Sequence, residues 1–566
     1  VWPNGAWLAW IAFPRDSLMR FDLAATTPRD TARVTYTARR TVRAPTSTAA
    51  VWIDSTSLSP RGDVWLPRDE YLTVTVRAAE GSLVRLRLPN GTYVPFTAVP
   101  ALDDVPAGIR AFDRDTGNLR RALRADRYTA VLRGQALRPP PTPPVGALLP
   151  PPPRALGAVT LAPDTTSVVV EAIRGADTAR TRWPIRLAVL DTLPLTVQLD
   201  DDSAGRGTTD SMTIARALPG GTYNWFFPTG TRALVSGRID NDLRLRLTPG
   251  LDVWVPVADA HVVSGAPAPR AVAGSLTLTP HEDRLTLRIP LSERVPFQVT
   301  ETERALALTL YGAVGDVDWI RFGADDSLIT GIAWAQGTSR DVTLTVNLAE
   351  PVWGFRTRWD RGDLLLEIHR PPAIDEHAPL KGRFIVVDPG HPPAGATGPT
   401  GLREAQANLG IALILRDLLQ DAGARVVMTR TTDAPVELYP RTRLADTLGA
   451  DLLISIHNNA LPDGVNPFTN NGTSVFYNHP RSVPLAQAVD RALVARLGVR
   501  NLGIGRGDLA LVRPTWMPAI LTEGLFLMLP DQENALRSPE GQRLYAQGVF
   551  DGIREFLRQR AGDQHR

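Results

Sequence analysis

Short alternating runs of apolar and polar residues fill the first 370 or so positions. From Val51 to Phe96, runs rich in Val, Thr, Leu and Tyr are separated by Pro, Asn-Gly and Gly-Ser turns, and SLVRLRL alternates with period two. Period-two alternation between such turns is typical of half-buried β-strands. The same rhythm recurs further on, which predicts a β-rich region over 1–137, a small β domain over 158–265 and a β-sandwich over 270–372. The proline-rich segment 138–157 between the first two predicts a stiff, extended linker.

The pattern changes near residue 380. FIVVDPGH is a continuous apolar run, and LREAQANLGIALILRDLLQDAGA has apolar residues at helical spacing with Gly423 as a stop. RVVMTR, RTRLADTLGA and DLLISIHNNA then read as strand, helix and buried strand. Alternating strands and helices predict an α/β domain over 380–560, with a mixed sheet covered by helices on both faces. The fold class is therefore multidomain: β-rich domains followed by an α/β domain.

Length and composition limit the kinds of binding site that the chain can form. At 566 residues the chain is too long for one hydrophobic core, which agrees with several domains. A net charge of +3 shows no basic excess that would indicate nucleic-acid binding. With no cysteine, histidines and carboxylates are the strong candidate ligands for any metal. The apolar stretch GAWLAWIAF (Gly5 to Phe13) is too short for a membrane span. Because the chain begins with Val, we expect a trimmed start without an export signal.

Two of the eight histidines stand at the carboxyl ends of apolar strands. His391 closes IVVDPGH and His457 closes LLISIH, while Glu404 stands at the start of the predicted helix between them. Ligand sites of open α/β sheets form outside the carboxyl ends of the strands. Two His and one Glu make the ligand set of a catalytic zinc, which also needs a general base. Glu523, at the end of the apolar run PAILT, is the candidate base.

These motifs also resemble a known family. DPGH, GLREAQANL, SIHNNA and PAILTEGLFL, in this order and spacing between Gly382 and Gln559, are similar to the zinc-dependent N-acetylmuramoyl-L-alanine amidases of the amidase-3 (AmiA/AmiB/AmiC) type. The region 270–372 resembles the AMIN-type β-sandwich of cell-wall amidases, and 158–265 resembles bacterial SH3-like modules. The tryptophans of the sandwich are interpreted mainly as core, with a carbohydrate-stacking platform as the alternative: Trp319, Trp334, Trp353 and Trp359.

The amidase resemblance implies a role for each site residue. His391, Glu404 and His457 would hold zinc, and Glu523 would take a proton from water at the metal and return it to the leaving amine. The bond cleaved would be the amide between N-acetylmuramic acid and L-alanine in peptidoglycan. Asn459 would help to shape the site. The localisation implied is the periplasm or cell envelope, and envelope proteins are an alternative set of partners for the β domains.

Departures from the family pattern and open alternatives remain. The Gly-Gly that commonly follows DPGH is Pro392-Pro393 here, which predicts a stiffer loop, and the usual Asn after Ala445 is Asp446. The inhibitory insertion of the regulated division amidases is absent after GTSVFYN, so we expect an open site. His479 is either a substrate contact or a solvated turn residue. Functional alternatives are a zinc amidase or peptidase acting on soluble muropeptides, and an inactive wall-binding scaffold.

Overall fold

The computed structural model describes residues 5–7, 18–39, 50–88, 91–102, 123–134, 160–161, 168–190, 195–200, 212–323, 326–462 and 465–564. The predicted proline-rich linker, 138–157, lies outside these ranges, as does most of the apolar stretch near the start. Within them, no helix has both the length and the hydropathy needed to cross a bilayer.

The first 262 residues form strands wherever the structure describes regular elements, apart from a 3-10 turn at Val257–Asp259. Alternation of the kind seen in Tyr71–Ala78 buries every second side chain. Strands β1 to β22 are Leu18–Thr26, Thr31–Arg39, Ile53–Ser59, Gly62–Pro67, Tyr71–Ala78, Leu83–Arg87, Tyr93–Pro95, Thr97–Ala98, Ala101–Leu102, Leu123–Arg124, Arg127–Arg133, Thr160–Leu161, Val169–Arg174, Asp177–Arg182, Ile185–Leu190, Leu195–Leu199, Met212–Arg216, Tyr223–Pro228, Arg232–Ile239, Asp242–Thr248, Leu251–Pro256 and Ala260–Val262.

Strands from both sides of the segment 138–157 share sheets. Strand β4 pairs with β15 in parallel and with β19 in antiparallel fashion, and β6 pairs with β13. One apolar core runs from Leu58 to Val189, and a second covers Leu195 to Val255 with Tyr311. Strands on both sides of the segment 138–157 therefore share sheets and the first of these two cores. The predicted division into 1–137 and 158–265 stays a prediction.

The region from Ala271 to His369 consists of two sheets packed face to face, plus a short separate pair of parallel strands. Strand pairing within the two sheets is antiparallel except at one edge of the first sheet, where Leu276–Pro280 runs parallel to Ile320–Phe322. One sheet has the order β29-β24-β25-β33-β32 and the other β26-β27-β31-β30, and both contribute to one apolar core. This is the arrangement expected of a β-sandwich; its likeness to AMIN modules stays a prediction. Strands β23 to β33 are Ala271–Ala273, Leu276–Pro280, Arg284–Ile289, Phe297–Glu301, Ala305–Tyr311, Ala313–Gly315, Ile320–Phe322, Ile329–Gln336, Asp341–Leu348, Gly354–Asp360 and Asp363–His369.

The four tryptophans of the sandwich divide into two groups. Trp353 is buried against the following domain, 5.9 Å from the ring of Phe556, and Trp359 packs edge-on against the core. Trp319 and Trp334 are exposed, at 65% and 38% of their surface. The interpretation of these tryptophans as core residues therefore applies to Trp353 and Trp359, but not to Trp319 and Trp334.

The last domain is an α/β sheet with helices, as predicted. Its six strands have the order β35-β34-β36-β39-β37-β38, all parallel except that β37 is antiparallel to β39. Strands β34 to β39 are Phe384–Pro389, Arg425–Met428, Leu452–Asn459, Thr473–Tyr477, Asn501–Arg506 and Ala519–Phe526. Helices α1 to α5 are Glu404–Asp421, Leu438–Leu448, Val483–Leu497, Pro530–Arg537 and Pro539–Gln564, with 3-10 turns at Pro480–Ser482 and Ala510–Val512.

Both faces of this sheet are covered. Alternate residues of β34 face opposite ways: Ile385 joins the core formed with α1, α3 and α5, and Val386 joins a smaller core that contains Ala445 of α2 and Trp516. A parallel strand buried on both faces is apolar throughout, which explains the continuous run FIVV. The prediction of β-rich domains followed by an α/β domain with a mixed, helix-covered sheet is confirmed.

The sandwich packs against the edge of the sheet at which β36 and β39 begin. The Phe355 amide donates to the Thr515 carbonyl at 2.7 Å, and the His369 imidazole stacks on Trp516 at 4.3 Å. Glu301 of the sandwich accepts hydrogen bonds from the buried Arg481 in the same interface. The opposite edge, where the parallel strands end, carries the candidate site.

Candidate metal centre

Three adjacent parallel strands deliver the predicted site residues to one edge of the sheet. His391 follows the end of β34, His457 lies near the end of β36, and Glu523 lies in β39 directly beside His457 in register. Glu404 is the first residue of α1, which packs over the same strands. Because parallel strands end at one edge, residues 66 positions apart along the chain become neighbours there.

The three predicted ligands converge on one point. One ligand atom from each of His391, Glu404 and His457 lies within 4.8 Å of the others. His391 Nε2 is 3.2 Å from Glu404 Oε2, and His457 Nδ1 is 3.1 Å from Glu404 Oε1. The two imidazoles meet edge to face, with ring centres 4.9 Å apart. Together they form a compact cluster of two nitrogen donors and one carboxylate.

The carboxylate at the centre of this cluster is held in its ionised form. Burial opposes ionisation, but the hydrogen bonds from His391 and His457 outweigh it and hold the pKa of Glu404 well below its usual range. In turn, the hydrogen bond to Glu404 raises the pKa of His391. Further donors are the Asn408 side chain and the backbone amides of Ala396 and Asn458.

The donor set fits a divalent zinc ion. Two histidines and one glutamate are the ligands of catalytic zinc sites that keep a fourth position open. His391 Nδ1 donates to the Pro393 carbonyl at 3.2 Å, which fixes that proton and leaves Nε2 facing Glu404. A backbone carbonyl on the outer nitrogen is a usual partner of a metal-binding histidine.

Glu523 adds an observation of its own in favour of a cation. Its Oε2 is out of contact with solvent and has no hydrogen-bond partner in the described part of the chain. Burial, and then the charge of Glu404, raise the pKa of Glu523 well above its usual value. A carboxyl oxygen that is buried and unpaired beside another carboxylate is costly unless a cation or polar ligand lies nearby. The strand next to His457 therefore carries a carboxylate oxygen that the described part of the chain leaves without a partner.

Two buried arginines hold the loop that carries His391. Arg441 pairs with Asp388 at 2.9 Å and also donates to the carbonyls of Pro389, His391 and Pro392. Arg430 donates to the carbonyls of Pro389, Gly390 and Ala405. His391 has φ +57°, a left-handed conformation that costs free energy for a non-glycine residue. The guanidinium groups supply the hydrogen bonds that keep it there.

Gly390 brings the loop and His457 together. A Cβ placed on Gly390 would lie 2.2 Å from both Cε1 and Nε2 of His457, far inside van der Waals contact. The Gly390 amide donates to the Ile456 carbonyl at 2.9 Å, so the backbone cannot easily retreat. Glycine is needed at this position for the close approach of the two ligand segments.

The two predicted substrate residues lie in different places. Asn459 ends β36 two residues beyond His457, at the site edge. His479 follows β37, whose antiparallel direction carries it to the opposite edge of the sheet. There its Nε2 donates to the Arg513 carbonyl at 2.8 Å, and burial lowers the pKa of His479 to about 3. The structure does not bring His479 to the ligand cluster, and its contacts are those of a structural histidine.

Sequence reasoning missed the side chains that support the ligands. Asn408 and Asn458 are fully or nearly fully buried and bonded to each other at 2.9 Å, with Asn408 also on Glu404. Asn408 stands four residues after Glu404 on the same helix face, so the spacing of a polar pair in an otherwise apolar helix was a usable signal. Arg430, at the end of RVVMTR, offered no such signal, because its partners are backbone carbonyls of another segment.

Comparison with known proteins agrees with this assignment of the domain. Residues 385–555 match the Amidase_3 family, N-acetylmuramoyl-L-alanine amidase. The chain therefore contains an amidase-3 domain, as the motifs indicated. The family match leaves the three β-rich regions outside it.

Individual relatives match the same part of the chain. A probable cell wall amidase, LytH of Staphylococcus epidermidis (strain RP62A), is 32% identical over 183 residues, 32% of this chain and 60% of that protein. N-acetylmuramoyl-L-alanine amidase LytC of Bacillus subtilis (strain 168) is 32% identical over 186 residues, 32% of this chain and 36% of that protein. The chain thus spans less than two thirds of the length of these relatives.

Among solved structures, the catalytic domain of CwlV, an N-acetylmuramoyl-L-alanine amidase from Bacillus (Paenibacillus) polymyxa var. colistinus, is 32% identical. The alignment covers 31% of this chain and 98% of that one, with a TM-score of 0.29.

Proposed function

We propose that this protein is a zinc-dependent N-acetylmuramoyl-L-alanine amidase that cleaves peptidoglycan between N-acetylmuramic acid and the L-alanine of the stem peptide. The observation that carries the proposal is the convergence of His391, Glu404, His457 and the unpaired Glu523 at one edge of an amidase-3 domain. The three ligands would hold the ion. When bound, zinc supplies Lewis-acid activation of water and of the amide carbonyl.

Glu523 acts as the general base and then as the general acid. It lies on the neighbouring strand in register with His457, and its Oε2 has no hydrogen-bond partner in the described part of the chain. It takes a proton from the attacking water and returns it to the nitrogen of the departing L-alanine, which needs a proton to leave as an amine. The Oε2 of Glu523 is out of contact with solvent, so bulk water does not compete for that proton.

The remaining residues at the edge shape the substrate site. We assign Asn459 to substrate positioning, because it ends the strand that carries His457. Arg441 and Arg430 keep the His391 loop in place through backbone carbonyls. Their role is to hold the ligand geometry ready before substrate arrives.

The whole chain acts in the cell envelope, in the periplasm, with the β-rich domains as the parts that place the amidase domain on the wall. Two relatives are named as cell wall amidases or N-acetylmuramoyl-L-alanine amidases, which supports this location. The exposed Trp319 and Trp334 leave carbohydrate contacts available to the sandwich, and envelope proteins are the alternative partners.

Digestion of purified peptidoglycan tests the proposal. Zinc-loaded wild type should release stem peptides and create new L-alanine amino termini, whereas Glu523→Gln and chelator-treated wild type should not. Parallel digestion of soluble muropeptides separates the wall from small fragments as the substrate. Bound zinc without new L-alanine termini from either substrate would refute the amidase proposal, and absence of zinc binding would indicate an inactive scaffold.

A further inference from the structure

A β-bulge lies immediately beside the paired His457 and Glu523. In the pairing of β36 with β39, His457 lies opposite Glu523 and Asn459 lies opposite Phe526. An advance of two residues along β36 therefore corresponds to an advance of three residues along β39. A bulge interrupts the regular ladder and leaves backbone groups without their usual partners. Here the interruption falls next to one predicted metal ligand and the predicted base.

A hydroxyl from the last helix fills the interrupted ladder. The phenol oxygen of Tyr545, on α5, accepts a hydrogen bond from the Gly524 amide at 2.9 Å and donates to the His457 carbonyl at 2.8 Å. The Thr522 hydroxyl is 2.9 Å from the same oxygen. Tyr545 is fully buried, so these backbone groups have no water to replace the phenol.

The glycine after Glu523 is required by the same contact. A Cβ on Gly524 would lie 2.3 Å from Cε1 and 2.7 Å from the hydroxyl oxygen of Tyr545. Any other residue there would push the ring out of the bulge. The Glu-Gly pair at 523–524 thus places the base in the strand and admits the phenol beside it.

We infer that Tyr545 is a positioning residue for the proposed reaction: its hydroxyl fixes the spacing between His457 and Glu523. It bonds to the backbone of the first and to the amide that follows the second, so it joins the two across the bulge. The expected effect of Tyr545 on catalysis rests on the proposed function. Its expected effect on the position of His457 concerns metal binding alone and can be measured without the reaction.

The test compares Tyr545→Phe with Thr522→Val. The first removes only the phenol oxygen and keeps the ring in its pocket. The second also removes a buried hydroxyl, one that bonds to Tyr545 and to the Ser455 carbonyl but to neither His457 nor the 524 amide. Zinc affinity is measured by competition with a chromophoric chelator, and kcat and KM are measured on peptidoglycan fragments at saturating zinc. Unfolding in urea shows whether the two variants have the same stability.

We expect Tyr545→Phe to raise the Kd for zinc about tenfold and to lower kcat at least about tenfold with KM unchanged, as for other groups that orient metal ligands. Thr522→Val should stay within about twofold of wild type in both. Equal losses in the two variants, or a wild-type kcat in Tyr545→Phe, would overturn the inference. If wild type itself is inactive, the proposed function fails, and an unchanged zinc Kd in Tyr545→Phe then overturns the inference separately.

Discussion

Replacement of Gly390 by alanine is a direct test of the ligand geometry. The added methyl group would lie 2.2 Å from Cε1 and Nε2 of His457, whereas non-bonded carbon atoms prefer separations of about 3.5 Å. The imidazole must therefore move by about 1.3 Å, because it is rigid and Arg430, Asn408 and Ile456 hold the backbone of residue 390. Metal–ligand distances tolerate errors of only about 0.2 Å.

We expect the zinc affinity of Gly390→Ala to fall by at least about 100-fold, the upper end of what misoriented ligands cost. The assay is titration of the metal-free protein with zinc against a chromophoric chelator. Gly562→Ala is the matched control, because a Cβ there meets open space. If Gly390→Ala remains folded by circular dichroism and binds zinc within threefold of wild type, His457 is not a ligand in the arrangement described.

Three further results are expected. Glu523→Gln should retain zinc and lose about 10² to 10⁴ in hydrolysis rate, and joint loss of zinc and activity would contradict its role as base. Burial raises the pKa of Asp446 from 3.8 to about 6, so ionisation destabilises the fold as pH rises through this window. Asp446→Asn should therefore raise the free energy of urea unfolding by about 3 kcal/mol at pH 8 and much less at pH 4. Glu301→Gln leaves Arg481 buried without its carboxylate and should cost about 3 kcal/mol, measured the same way; an unchanged value would show that the pair is not needed for stability.

The candidate site was predictable because its signals are local. An apolar run that ends in His391 or His457 shows both a buried strand and the position of the side chain at its end. The sheet rule then places such ends together without any knowledge of the full topology. Glu523 followed from the same rule. The sequence does not show that its Oε2 lacks a hydrogen-bond partner, because this depends on the three-dimensional arrangement of the chain.

The parts that sequence reasoning missed depend on pairing between distant segments. The β4–β15 and β6–β13 pairings join strands across the proline-rich segment, and neither strand carries a local mark of its partner. The position of His479 depends on the antiparallel direction of β37, which alternating periodicity does not reveal. Tyr545 carries no local mark of its contacts, since its hydroxyl bonds to the Gly524 amide, 21 residues earlier in the chain.

The placement of the domains follows from which edge of the sheet each one uses. The sandwich contacts Asp451 just before β36, and Thr515 and Trp516 before β39. Arg481 follows the antiparallel β37 and so lies at that same edge. Since His391 and His457 lie where the parallel strands end, these contacts between described residues lie at the opposite edge from the ligands. The proposed activity on a cross-linked polymer requires an accessible ligand edge, because such a substrate cannot be enclosed. A buried ion pair and stacked rings at the opposite edge would hold the amidase domain with its ligand edge facing away from the β-sandwich.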